Sequence, residues 1–411
     1  MSEQALVRDE EQEEIEERRT SNLELFFDLV FVFAITQITS LLLSDTSPAG
    51  FGRSALMLGL VWWAWSGYAW TTTAINVESY VVRFGLLLAA AGTFLMAFAI
   101  PDAFRGEALW FALSYFGVRA LQVALMLYGI RDSRTYLVSA LRLSPFFLLS
   151  PALVVGGATA DAHWLRIVLW GAALAIDFVG AITAGSGEFR VNASHFAERH
   201  SLFIIIALGE SIVAIGVGAA GAHRDPALAG AILIAFAGVA TLWWAYFDFV
   251  AGAVERALGR RSGRERGHVA RDVFTFAHFP IVAGIVLFAV AAKKVVAHSS
   301  EPLSGPGRFA LGAAIVSFTL GFALSRYRLI RKVSPERTAA AVVAVLATAF
   351  LTDLAAAGVL TIVVAALAVA QAIEAVRFRE LRAGGRSGPD PGPDPGPASG
   401  PGSGRSPDPA R

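Results

Sequence analysis

Runs of about twenty apolar residues, each closed by a short polar stretch, recur along this chain between residues 23 and 376. A helix rises about 1.5 Å per residue, so each run can cross a hydrocarbon layer about 30 Å thick. Only helices and closed barrels satisfy every backbone group in lipid, and these runs are about twice the length of a barrel strand. The pattern predicts twelve helices, at about 23–43, 54–74, 80–100, 107–128, 136–158, 162–184, 201–221, 227–249, 272–292, 308–325, 338–354 and 357–376. Only Asp353 to Ala357 separates the last two, which leaves eleven as the alternative count. The expected fold class is all-α, a polytopic membrane protein with a transmembrane domain over 20–383, read as halves of six helices at about 20–185 and 186–383.

Composition agrees and narrows the function classes. Of 411 residues, 55% are hydrophobic and 16% charged, against about 25% charged in soluble domains. A soluble enzyme is excluded by that balance, and no enzyme activity is expected. The chain has no cysteine, so a disulfide framework, a thiolate metal site and a cysteine nucleophile are excluded. Net charge is +1, and no nucleic-acid partner is expected from bulk charge. Residues 1–19 are acid-rich, unlike the basic start of a cleavable signal. Residues 384–411 are rich in Gly, Pro and Ser and read as a disordered tail.

Charge also orients the chain. With the N-terminus inside, 25 of the 34 Lys and Arg fall in the tails and loops on the cytoplasmic side and 6 in the outer loops. Cytoplasmic loops of membrane proteins carry such an excess, so both termini are expected in the cytoplasm.

Ionisable residues inside spans are costly and by default mark a pathway or a site. The candidates are Glu24, Asp28, Arg119, Arg142, Asp177, Glu210, Asp248 and His278. All fall in the middle or cytoplasmic half of their spans, which predicts a polar cavity open to the cytoplasm. For Glu24, Arg142 and Asp248 the plainer reading is a side chain reaching the interface. Glu24 and Asp28 are four apart and share a helix face, with Thr39 on the same stripe. Asp28 and Glu210 are read as the core acids, with Arg119 or Arg142 as countercharge. Glu24, Asp177 and His278 stand behind them. Gly209 and Ser211, beside Glu210, would let backbone approach a ligand.

Before the seventh span stand His195, Glu198, Arg199 and His200. Their spacing is not that of a zinc protease, and His200 lies off the face shared by the other two, so no metal is expected. They are read as a charged cluster at the cytoplasmic start of that span. Gly216, Gly218 and Gly221 match a dinucleotide fingerprint in letters, but they lie in an apolar helix with no preceding strand and favour close helix contact instead. No cofactor is expected. Trp62, Trp63 and Trp65, and Trp243, Trp244 and Tyr246, read as helix contacts and interface anchors before pocket lining.

Arg18-Arg19 precedes Asp28 much as Arg199-His200 precedes Glu210, which suggests a repeat of six helices. The stretch Arg19-x-x-x-Leu-Glu-Leu-Phe-Phe-Asp-Leu-Val-Phe-Val with Gln37, and Glu198-Arg199-His200 followed by Leu208-Gly209-Glu210-Ser211, resemble the two landmarks of the bacterial low temperature requirement A (LtrA) family. The resemblance covers about 20–380. It implies a multi-pass protein of the bacterial cytoplasmic membrane, linked by name to growth in the cold, and it carries no established substrate or catalytic residue. The first helix is more distantly similar to a cation channel family of six plus six helices with an Arg…Phe-Ser-Asp signature, where Phe27 stands here in place of the serine.

The expected function is movement of a small solute or ion through a polar path lined by intramembrane acids, with the lipid bilayer as surroundings. The alternatives are a structural or stress-adaptation membrane protein that transports nothing and, third, an intramembrane enzyme. The oligomeric state is left open.

Overall fold

The computed structural model describes residues 19–131, 147–183, 192–248, 252–261 and 263–384. The first long helix, α1 (Asn22–Ser44), begins at a capping box: the Ser21 hydroxyl accepts the Glu24 amide and the Glu24 carboxylate accepts the Ser21 amide. It turns at Asp45 into α2 (Pro48–Ala74). Ser47 caps α2 and Pro48 opens it, so the helix starts six residues before the apolar run predicts. In that turn the Ser47 hydroxyl and then its amide, with Arg53 at 3.0 Å, hold the Asp45 carboxyl below the usual carboxylate range.

Then come α3 (Tyr80–Ala99), α4 (Ala108–Gly129), α5 (Phe147–Ala158), α6 (His163–Thr183), α7 (Ala193–Ala219) and α8 (Pro226–Tyr246). Two short helices, α9 (Gly252–Gly259) and α10 (Gly263–Ala270), lead through a π-helical stretch, Arg271–Ala277, into α11 (His278–Ala297). The chain continues as α12 (Gly305–Ile330), α13 (Pro335–Phe350) and α14 (Ala356–Gly384).

Nine helical units among the described residues are long and apolar enough to cross a membrane, with α10 to α11 counted as one. The other three expected spans fall on α2, on α5, whose described part is Phe147–Ala158, and on α13, and contacts show that α2 and α13 also run from end to end. Thr72 of α2 meets Arg199 near the start of α7, while its Ser47 cap adjoins the end of α1. Trp63 of α2 lies beside Phe178 and Gly59 beside Leu174, so α2 and α6 run the same way. Gly129 at the end of α4 touches Ile75 just past α2, so the chain must traverse the bundle through α5 before α6 begins. Arg337 of α13 meets Glu374 near one end, and Thr348 meets Gly312 towards the other. Twelve passes are traced among the described residues, and residues 19 and 384 lie at the same end of the bundle.

The surface shows which solvent it expects. Phe84, Phe98, Leu233 and Phe350 are 70%, 73%, 68% and 75% exposed, while Asp28, His195 and Arg199 are each 0% exposed. An apolar exterior around a charged interior would aggregate in water and is stable in lipid. Trp243 and Trp244 point outward near the last turn of α8, where interface anchors belong. Trp62, Trp63 and Trp65 are instead buried helix contacts. Pro280 has no N–H to return to the turn before it, and the Thr275 carbonyl five residues earlier accepts the Trp62 indole at 2.9 Å. Of the three aligned glycines only Gly218 is a close approach, since a Cβ there would sit 2.7 Å from the Lys293 carbonyl oxygen.

The two sets of six share an order of neighbours. In each, the first helix packs on the second and third, the third on the fourth, and the second on the sixth. The first helices, α1 and α7, touch each other along the seam between the sets.

Candidate functional site

The seam is built from two helices that run parallel, because Thr20 meets Glu198, Asp28 meets Arg199 and Thr36 meets Glu210. At its lower part Asp28 forms an ion pair with Arg199 and accepts the Trp65 indole at 2.7 Å. Arg199 also donates to the Thr72 hydroxyl at 2.6 Å and lies 3.8 Å from Glu24. His195, one turn before Arg199, places Nε2 3.1 Å from one Glu24 oxygen and Nδ1 3.3 Å from the Thr73 hydroxyl. That hydroxyl gives its own proton to the Ala69 carbonyl, so it faces His195 as an acceptor. Two acids four residues apart on α1 therefore meet two bases four residues apart on α7.

Higher on the seam stands Glu210. Its carboxylate accepts the Thr36 hydroxyl at 2.5 Å, and no Lys, Arg or His among the described residues lies within ion-pair distance. Ser211 beside it is fully buried, and its hydroxyl has no partner.

The other candidates form separate groups. Arg119 of α4 pairs with Asp177 of α6 at 2.7 Å, and Ser150 of α5 donates to the second Asp177 oxygen at 2.6 Å. His278 lies in an aromatic box with His200, Phe274 and Tyr246. Its Nδ1 donates to the Val273 carbonyl at 2.8 Å, which leaves Nε2 to accept the Tyr246 hydroxyl at 2.8 Å. His200 donates from Nδ1 to the Phe196 carbonyl at 2.9 Å, and its buried Nε2 has no partner among the described residues. Asp248 is exposed just beyond α8, as a side chain reaching the interface would be. Arg142 falls outside the described residues.

Residues 19–372 match the family described as Bacterial low temperature requirement A protein (LtrA). The chain belongs to that family. A further relative is Uncharacterized protein RA0937 of Rhizobium meliloti (strain 1021), 30% identical over 298 residues that cover 70% of this chain and 72% of the other. No solved structure matches.

Within this LtrA chain the two landmark stretches turn out to be one site in space, since the acids of the first are the partners of the bases in the second. Three expectations are corrected by that geometry. Arg199 is the countercharge of Asp28 and Arg119 on α4 is instead engaged by Asp177, while Arg142 lies outside the described residues. His195, Arg199 and His200, expected in a loop before the seventh span, lie in the first turns of α7 itself, which begins at Ala193, and all three are 1% exposed or less. A hydropathy profile starts that helix at 201 because it cannot see that the charges before 201 are neutralised by another helix. Nor do the described candidates gather around one cavity. They divide among the seam, the Arg119–Asp177 pair and the histidine box, and the cavity at the bundle end where residues 19 and 384 lie is lined by none of them. Sequence reading missed Thr36, Trp65 and Thr72 as partners, and it missed the buried pair Arg337–Glu374 at 2.8 Å. The matched four-residue strides of Glu24/Asp28 and His195/Arg199 were a readable signal for the seam.

Proposed function

We propose that this LtrA protein moves a small solute or ion across the membrane along the α1–α7 seam, and that Glu210 favours a proton or small cation. One observation carries the reading. Of the five buried acids among the described residues, Glu24, Asp28, Asp177 and Glu374 each have a base within ion-pair distance, and Glu210 has the Thr36 hydroxyl, with Lys293 acting on it only from beyond that distance. An unpaired carboxylate in lipid is expensive, so it is kept where a cation or proton comes and goes. The position supports this too, because sites in repeat-built transporters concentrate where the repeats meet. A structural membrane protein is the second reading, favoured by the ion pairs that brace the other acids.

The test is flux of protons, K⁺, Na⁺ and small anions into liposomes, with Glu210→Gln beside wild type. Flux of none of these by intact protein would sink transport.

The same reading places the bundle end that holds α9, α10 and both termini in the cytoplasm of the bacterial cell, supported by the basic residues gathered there. The cysteine-free chain makes the check direct. A thiol at His223→Cys, in the exposed loop after α7, should react with an impermeant reagent on intact cells, and one at Arg264→Cys should not. The reverse labelling would invert the orientation.

A further inference from the structure

At the end of the bundle where residues 19 and 384 lie, a cavity of about 700 Å³ opens between α9, α10, α12, α13 and α14. Its lining carries five arginines, Arg256, Arg260, Arg261, Arg326 and Arg337, against Glu265 and Glu374. Three of the five are engaged: Arg337 at 2.8 Å and Arg326 at 3.5 Å by Glu374, and Arg261 at 3.0 Å by Glu265. Both glutamates are thereby used. Arg256 and Arg260 are exposed at the mouth, and their guanidinium groups have no partner among the described residues. The described lining holds a net excess of three positive charges around two unengaged guanidiniums.

The remaining walls are apolar. Phe322 lies under the Arg337 guanidinium at 4.3 Å, and Ile330 and Val333 are 54% and 48% exposed at the rim. A concave, low-dielectric wall concentrates the potential of the arginines above it. Guanidinium pairs bind the oxygens of phosphate in a planar fork. Exposed Ile330 and Val333 beside them suit a ligand whose anionic head continues into hydrocarbon. A freely dissolved anion would leave that apolar rim uncovered.

We propose that this cavity binds the headgroup of an anionic phospholipid from the adjoining leaflet, with the phosphate on Arg256 and Arg260 and the acyl chains leaving past Ile330 and Val333. Basic pockets between membrane helices at the cytoplasmic face bind acidic headgroups by the same chemistry. The proposal does not depend on transport along the α1–α7 seam.

The experiment titrates the full-length protein, in a neutral detergent, with dioctanoyl phosphatidylglycerol, dioctanoyl phosphatidylcholine and inorganic phosphate, read by calorimetry. The phosphatidylglycerol should bind about tenfold tighter than the phosphatidylcholine, and added salt should erode the difference. Arg256→Gln/Arg260→Gln should abolish the preference with melting unchanged, because neither side chain holds the fold together. Arg260→Gln alone should reduce it part-way. Equal binding of the two lipids would overturn the proposal, as would a double variant that keeps the preference. Displacement of the phosphatidylglycerol by inorganic phosphate at equal concentration would also overturn it, by making the free anion the ligand.

Discussion

The lower and upper parts of the α1–α7 seam use the same two helices and differ in whether their charges are matched. Below, Glu24 and Asp28 face His195 and Arg199, with Trp65, Thr72 and Thr73 taking up further hydrogen bonds. Two turns above Asp28, Glu210 accepts Thr36 and feels Lys293 only from beyond ion-pair distance. A matched set deep in a bundle loses its partners when the helices separate, so it fixes register and holds the two halves together. An acid left with a hydroxyl can take a proton or cation without breaking an ion pair between helices. On the proposed reading the lower part braces and the upper part exchanges.

The largest effect should come from breaking the brace. Arg199→Met leaves Asp28 with the Trp65 indole alone and Glu24 with His195 and Ser21, at side chains that are fully buried. Removing one partner of a buried pair costs about 3–5 kcal/mol, a large share of a stability of about 5–15 kcal/mol. The protein should be lost from the membrane or recovered with a strongly lowered melting temperature. Asp28→Leu/Arg199→Met, which removes both charges, should recover much of that loss. A single Arg199→Met variant that melts like wild type would erase the distinction between the two parts of the seam.

The opposite balance is expected above. Glu210→Gln keeps the side-chain shape and an oxygen to accept Thr36, so melting should change by no more than about 1 kcal/mol. Flux in liposomes should fall at least about tenfold, equivalent to about 1.4 kcal/mol on the barrier. Thr36→Val, which removes only the hydroxyl, should act in the same direction and less strongly. Full flux in Glu210→Gln would move Glu210 to the bracing class. A variant that cannot be folded would do so as well.

The contrast also shows what could be read from letters and what could not. Among the described residues every expected span falls on a helix, because apolar length and backbone satisfaction in lipid are properties of single segments. Helix starts were less legible where partners lie far along the chain. The residues from Ala193 to His200 look polar by themselves and are helical core once Glu24 and Asp28 arrive from about 170 positions earlier. The acids were legible as costly residues, and the pairing was not. Asp28 and Glu210 look alike as buried carboxylates, yet only folding brings a guanidinium to one and a hydroxyl to the other. The cavity between α12, α13 and α14 escaped notice because its arginines sit in loops and helix ends, where basic residues serve as orientation signals.

The smallest effect tests the lower boundary of the brace. Glu198, half-buried on α7, accepts both the Thr20 amide at 2.8 Å and the Thr20 hydroxyl at 3.0 Å, and so ties the residues before α1 to α7. No base among the described residues lies within ion-pair distance of it, so it is an unpaired acid like Glu210 but at the end of the bundle. Glu198→Gln keeps one oxygen for the same two donors and loses only the charge that strengthens them. The cost should stay below about 1 kcal/mol, within the net worth of one ordinary hydrogen bond. Melting should barely shift, and flux should match wild type, because water reaches this level and can replace what the carboxylate supplied. If flux fell as far as in Glu210→Gln while melting held, charge at the end of the seam would matter as much as charge at its middle. The exchanging part would then run the length of α1 and α7, with the ion pairs as its walls.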